Sequence, residues 1–157
     1  MDQQVDLMAI FAHPDDETFA TGGTLAKYAS HGKRVAAVCA TRGDVGSISD
    51  QSLATRETLP QVREQELRNA CAAMGVSQIH IMGYRDSGMA GTEDNQHPDS
   101  LVQADHTKVV NQLVELMRHW RPQVVVTFDE SGVYGHPDHV AIHTATTKAF
   151  HAARDIS

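Results

Sequence analysis

The sequence predicts an α/β fold in which a parallel sheet is covered by helices on both faces. Three observations predict it. Short apolar runs alternate with helical stretches four times along the 157 residues, which is the pattern of βαβ units. Runs such as Val124-Val125-Val126 are apolar without alternation, as suits strands buried on both sides. The composition, 41% hydrophobic and 21% charged, is ordinary for a globular domain and excludes disordered and collagen-like classes. The architecture expected is a single Rossmann-like domain over residues 1–157, a length sufficient to bury one core.

Each element has its own justification. Residues 5–12 form a short, mostly apolar run that reads as a buried strand, ended at His13-Pro14 because proline cannot donate to a ladder. Asp15-Asp16-Glu17 sets acids where the positive end of a helix dipole favours them. The helix continues over 18–29 despite Gly22 and Gly23, and His31-Gly32 stops it. Residues 34–40 are a second buried strand, and 41–54, rich in Gly, Ser and Asp, are a loop. Residues 60–74 carry Val62, Leu67, Ala70 and Met74 at helical spacing, with Gly75 as the cap. A third strand covers 78–82. The polar stretch 83–100 is a long connection of the kind that usually carries function. The helix at 105–120 has Val109, Val110, Leu113, Leu116 and Met117 on one stripe. Residues 123–128 are the fourth strand, and a helix starting near Pro137 fills the rest.

Charge and composition narrow the partners. Thirteen Lys and Arg against twenty Asp and Glu give a net charge of −7, so a nucleic-acid footprint is not expected. The polar opening Met1-Asp2-Gln3-Gln4 lacks a secretory pattern, and no run could span a bilayer; a cytoplasmic protein without membrane contact is expected. Cys39 and Cys71 form no CxxC pattern and are expected as buried free thiols. There are ten histidines, not in a tag-like run, and His136, His139, His143 and His151 crowd the last stretch.

In parallel sheets ligands bind beyond the carboxyl ends of the strands, so chemistry belongs in the strand-to-helix loops. Two segments meet that demand: His13-Pro14-Asp15-Asp16-Glu17 after the first strand and Tyr134-Gly135-His136-Pro137-Asp138-His139 after the fourth. Their loops converge if those strands are neighbours. A catalytic zinc takes three protein ligands and keeps an open position for water. His13 and Asp16 can face one side of a turn, and the second loop offers His139 or His136 as the third ligand. Asp15, beside a ligand, can take a proton from the metal's water. His143, one turn after His139, lacks the glutamate of an HExxH pair, and His80, His97 and His106 read as sheet-facing or surface residues. Neither GxGxxG, a phosphate-binding loop nor a Gly-x-Ser-x-Gly elbow occurs.

The paired motifs His13-Pro14-Asp15-Asp16-Glu17 and His136-Pro137-Asp138-His139 resemble the two signatures of the LmbE-like or PIG-L family of metal-dependent N-deacetylases. Thr41-Arg42-Gly43-Asp44-Val45-Gly46, the segment from Val62-Arg63-Glu64 to Gly75-Val76, and Tyr84-Arg85-Asp86-Ser87-Gly88-Met89 resemble further family segments, so the likeness covers essentially the whole chain. The resemblance implies zinc, with iron(II) as the other candidate, held by His13, Asp16 and His139. It implies Asp15 as general base, and His136 as the cation that stabilises the oxyanion or protonates the leaving amine, with Asp138 orienting its ring. It also implies Arg63 and Asp86 at the substrate's polar groups, and Tyr134 as an oxyanion-stabilising hydroxyl. The reaction implied is N-deacetylation of a small amino-sugar conjugate of the N-acetylglucosaminyl-inositol or -malate type.

Two other readings share these residues. Two His and one carboxylate also describe an iron(II) oxygenase triad, expected on a β-sheet barrel. A Rossmann-like binding module without turnover needs no base beside its ligands. Family members usually continue past the second motif with more strands and helices, so the C-terminal part of the family fold is expected to be absent here. A sheet edge left open in that way invites a homo-oligomer.

Overall fold

A computed structural model of the chain describes residues 4–154. The opening Met1-Asp2-Gln3 and the end of the expected single domain, Asp155-Ile156-Ser157, lie outside the described residues. Strand β1 (Leu7–Phe11) leads into helix α1 (Asp16–Ser30), β2 (Val35–Thr41), α2 (Leu59–Met74) and β3 (Gln78–Tyr84). After two 3-10 turns, Glu93–Gln96 and Leu101–Gln103, come α3 (His106–Trp120), β4 (Val124–Val126), the short α4 (Gly132–Gly135) and α5 (Pro137–Arg154).

The four strands form one parallel sheet in the order β3-β2-β1-β4. Leu7 pairs with Val35 on one side and Val124 on the other. β1 is thus central, and all five of its residues are buried, as an uninterrupted apolar run requires. Helix α1 packs with α2, and α3 with α5. Right-handed crossovers put these two pairs on opposite faces of the sheet. The chain reverses direction across the sheet between β1 and β4, so their carboxyl ends flank a crevice. The expected α/β architecture is what the chain adopts, and it is not the β barrel an iron(II) oxygenase would need.

Local chemistry explains the elements and their departures from expectation. α3 starts where the Asp105 carboxylate accepts the Thr107 N–H at 2.8 Å, an N-cap. Its buried stripe is Val109, Leu113, Val114, Met117 and Trp120; Val110 and Leu116 are only half-buried. α1 begins at Asp16, earlier than the apolar pattern indicates, so both acids of its first turn are helical. β4 is shorter than the apolar run because Phe128 leaves the ladder. Its carbonyl accepts from His143 Nδ1 at 2.6 Å, and its ring stacks on His139 with centroids 3.9 Å apart. β4 forms one edge, where Val124 is 52% exposed. Cys39 and Cys71 are buried free thiols. Among the described residues, no helix is long and apolar enough to cross a membrane.

Candidate active site

The loops after β1 and β4 meet as the strand order demands, and three side chains close a small triangle. His13 Nδ1 lies 3.3 Å from Asp16 Oδ2, His139 Nε2 lies 3.4 Å from Asp16 Oδ1, and the two histidine nitrogens are 3.3 Å apart. A tetrahedral zinc with ligands at about 2.0–2.1 Å has donor–donor edges of about 3.3–3.4 Å. The edge between the two histidine nitrogens matches that spacing, and Asp16 presents one oxygen to each ring, so the donor set suits such an ion.

The far side of each ring supports the same reading. His13 Nε2 is 3.0 Å from Asp138 Oδ2 and 3.5 Å from Asp86 Oδ1, so the ring proton there is held by carboxylates and Nδ1 is left for a metal. His139 Nδ1 donates to the Gly132 carbonyl at 3.2 Å, which leaves its Nε2 free to ligate. The approach of that carbonyl needs Gly132. A Cβ there would stand 2.8 Å from His139 Cβ, at a φ of +66°. The Asp138 carboxylate also accepts the Ser87 N–H at 2.9 Å, while its Oδ1 is buried with no hydrogen-bond partner among the described residues. Burial works against charging His13, but hydrogen bonds to Asp138, Asp16 and Asp86 outweigh it and hold its pKa well above the ordinary value. Burial raises Asp16 and Asp86, yet His13 more than compensates and both end below the usual carboxylate range.

One expectation is corrected here. Asp138 orients the ring of His13, not of His136. His136 instead accepts the Asp138 backbone N–H on Nδ1 at 3.1 Å, which puts the proton of the neutral ring on Nε2. Burial lowers its pKa, the charge on His13 lowers it further, and Asp138 opposes both without winning. These directions weigh against His136 as a standing cation, and the Nδ1 contact leaves its Nε2 as the donor. Its ring lies 4.6 Å from that of His13 and 4.9 Å from that of His139. Ligand-capable atoms of His13, His136 and His139 fall within 4.8 Å of one another, and those of His13, Asp86, His136 and Asp138 form a second such group.

His13, Asp16 and His136 line a cleft of about 550 Å³ whose walls include Asp15, Arg63, Asp86 and Tyr134. Asp15 is half-exposed, and its carboxylate meets Arg63 at 2.8 Å. Burial raises its pKa, and the Arg63 guanidinium holds the rise back. Arg63 also donates to the carbonyls of Pro14 and Gly43. It lies so close over Gly43 and Gly46 that a Cβ on either would collide with its guanidinium. Arg63 is therefore bound to the candidate base as well as facing the cleft. Asp86 is buried, bonded to the Gly88 N–H at 2.8 Å and facing His13 rather than standing free for a substrate. Tyr134, 63% exposed, stands at the mouth with its ring 5.1 Å from that of His139. His143 is tied to the Phe128 carbonyl. His80 is half-buried, edge-on to Trp120. Sequence reasoning missed Glu17, read as a helix charge but buried, and Ser87, whose amide holds Asp138. Neither has a spacing signal: Glu17 turns back on its own turn, where an exposed acid would look the same, and Ser87 reaches Asp138 across 51 residues of sequence.

A family model described as PIG-L, GlcNAc-PI de-N-acetylase, matches residues 8–150. The chain is 45% identical over 159 aligned residues to a 1D-myo-inositol 2-acetamido-2-deoxy-alpha-D-glucopyranoside deacetylase of Acidothermus cellulolyticus, covering 96% of this chain and 54% of that protein. A protein of the same description from Thermobifida fusca is 44% identical, over 96% of this chain and 56% of its own length. The chain spans about half the length of the curated relatives it matches. Among solved structures, N,N'-diacetylchitobiose deacetylase from Pyrococcus horikoshii superposes with a TM-score of 0.74 at 27% identity, over 92% of this chain and 48% of that one.

Proposed function

The chain belongs to the PIG-L family, and from that premise we propose that it hydrolyses the acetamide of an N-acetylglucosamine-type conjugate. The N-acetylglucosaminyl-inositol class, which the relatives' names carry, is the first substrate to try. The observation that carries this reading is the cluster of His13, Asp16 and His139 at the base of the cleft, which His13 and Asp16 line with Asp15 beside them and which His139 backs from beneath. Those three residues would hold zinc or iron(II). When bound, the ion supplies a positive centre that polarises the amide carbonyl and acidifies water.

The chain's own side chains do the rest. Asp15 takes a proton from the attacking water at its carboxylate, and burial favours that uptake. His136, through its Nε2–H, donates to the amide oxygen as negative charge builds on it. The proton stored on Asp15 is the one the departing amine needs, so water is added across the C–N bond and acetate and amine leave. Tyr134 offers a second donor from the mouth of the cleft, and Arg63 presents charge to the sugar's hydroxyls, while Asp86 backs the His13 ring. The Asp138 carboxylate steadies His13 throughout.

Acetate release from a panel of N-acetylglucosaminides, after chelation and add-back of zinc or iron(II), tests the reading. Release restored by metal from an inositol-type substrate is expected. Asp15→Asn should keep its metal and lose about 10²–10⁴-fold in kcat, the worth of a positioned base. No release from any panel member with either metal overturns the proposal, and undiminished turnover in the Asn variant overturns the role of Asp15.

A further inference from the structure

We propose that Glu17 is a positioning residue that aims Asp15 by fixing the peptide bond between Pro14 and Asp15. The inference rests on the reading of Asp15 as the proton acceptor.

Asp15 has φ 120° and ψ −32°, a backbone conformation that residues with a Cβ rarely adopt. Such a conformation persists only where its surroundings impose it. Here they do so from every side. The Asp15 N–H donates to Glu17 Oε2 at 3.0 Å, and the Asp15 carbonyl accepts the N–H groups of Thr18 and Phe19 at 2.9 and 3.0 Å. The Pro14 carbonyl accepts from Arg63, whose guanidinium also takes the Asp15 carboxylate. Both polar ends of the Pro14–Asp15 peptide are therefore held, the carbonyl by Arg63 and the N–H by Glu17.

Glu17 is 3% exposed, and its other carboxylate oxygen accepts the Thr18 hydroxyl at 2.6 Å. An exposed glutamate would serve the helix dipole equally well. Burying a carboxylate carries a desolvation cost that only specific hydrogen bonds offset. The bond that this placement secures is the one to the Asp15 amide. Without it, the N–H can turn towards water, φ relaxes, and the Asp15 carboxylate swings on its Cα. His13 and Asp16 hold their places through bonds of their own, including the His13 N–H to Asp16 Oδ2 at 2.8 Å. Loss of Glu17 should therefore misplace the base while sparing the ligand triangle.

Two variants separate reach from charge. Glu17→Gln keeps an oxygen at the same reach, and Glu17→Asp keeps the charge but falls short of the amide. Glu17→Asp should lower kcat about 10- to 100-fold, the cost of a misplaced catalytic group, with KM and zinc content unchanged. Glu17→Gln should stay within about threefold of the parent, since the acceptor survives. Metal-free crystal structures should show Asp15 leaving its positive φ in Glu17→Asp and keeping it in Glu17→Gln. Parent-like kcat in Glu17→Asp overturns the proposal, and so does Glu17→Gln failing as badly as Glu17→Asp. If the parent protein releases no acetate, the functional reading fails, and the two crystal structures still decide whether Glu17 sets the Asp15 backbone.

Discussion

Two turns supply the candidate centre, and they are built differently. The turn after β1 passes from strand to helix between Phe11 and Asp16, and its polar groups are bonded to one another. The connection after β4 is longer. It bends at Gly132 and Gly135, both at positive φ, and places Val133 at φ 66° with 64% of its surface exposed. From the first turn come His13, Asp15 and Asp16, locked by backbone geometry. From the second come His136, Asp138 and His139, held because α5 begins there and packs on β1 and α3. The difference teaches that the short turn fixes His13 and Asp16 by bonds of its own, while the long one delivers a buried helix start and leaves Tyr134 at the surface.

The strongest way to break that comparison is to remove a ligand from the short turn. Asp16→Ala should abolish tight metal binding, a larger loss than the about 10- to 100-fold that removal of an outer hydrogen-bond partner costs. Metal analysis after dialysis and titration calorimetry check it. Retention of metal at parental affinity would mean that a group without Asp16, either His13 with His136 and His139 or His13 with Asp86, His136 and Asp138, is the true site.

Asp138→Ala comes next, because it attacks the short turn from the long one. The substitution leaves the Ser87 amide without its acceptor and the His13 ring with only the longer contact to Asp86. Metal affinity should fall about 10- to 100-fold. Stability should fall by about 1–3 kcal/mol, the cost of unsatisfied buried donors. Unchanged metal affinity in this variant would show that the turn and Asp86 suffice to orient His13.

A smaller effect sharpens the same contrast through pH. Hydrogen bonds to Asp138, Asp16 and Asp86 outweigh burial and keep His13 protonated above the usual histidine range when no metal is bound. Binding must displace the Nδ1 proton, so apparent zinc affinity should rise by up to about tenfold per pH unit below the raised pKa and level off above it. In Asp138→Ala one of the bonds that raises His13 is gone, and the plateau should begin at lower pH. Calorimetry across pH 6–9 (at about one-unit steps) reads both slopes.

These particulars also show what was legible in the sequence. β1 could be read because its run of apolar residues is unbroken and Pro14 ends it; the parallel order followed from the strand–helix alternation. The placement of His13, Asp16 and His139 together followed from where strands end. The partner of Asp138 did not, because a helix-start carboxylate reaches either neighbouring histidine until α5 is docked. The burial of Glu17 was hidden for a related reason: an acid in a first turn satisfies the dipole whether it faces water or the core. The Arg63 slot is similar. Gly43 and Gly46 look like loop glycines, and only the packed α2 shows that a guanidinium lies over them.

Tyr134→Phe should have the smallest effect, and it probes how far the long loop differs from the short turn. Burial raises the Tyr134 pKa and the negative charge of Asp16 raises it further, so the hydroxyl is a neutral donor at working pH. A preorganised oxyanion donor in a water-excluded site is worth about 10²–10³ in kcat. Tyr134 is 63% exposed, and a donor shared with water is worth much less. The expected loss is about 3- to 10-fold in kcat/KM, with zinc content and melting temperature unchanged, measured by steady-state acetate release. A loss of about 10² or more would mean that bound substrate draws the loop over itself until Tyr134 is as fixed as the short turn. The contrast between the two turns would then belong to the free protein alone.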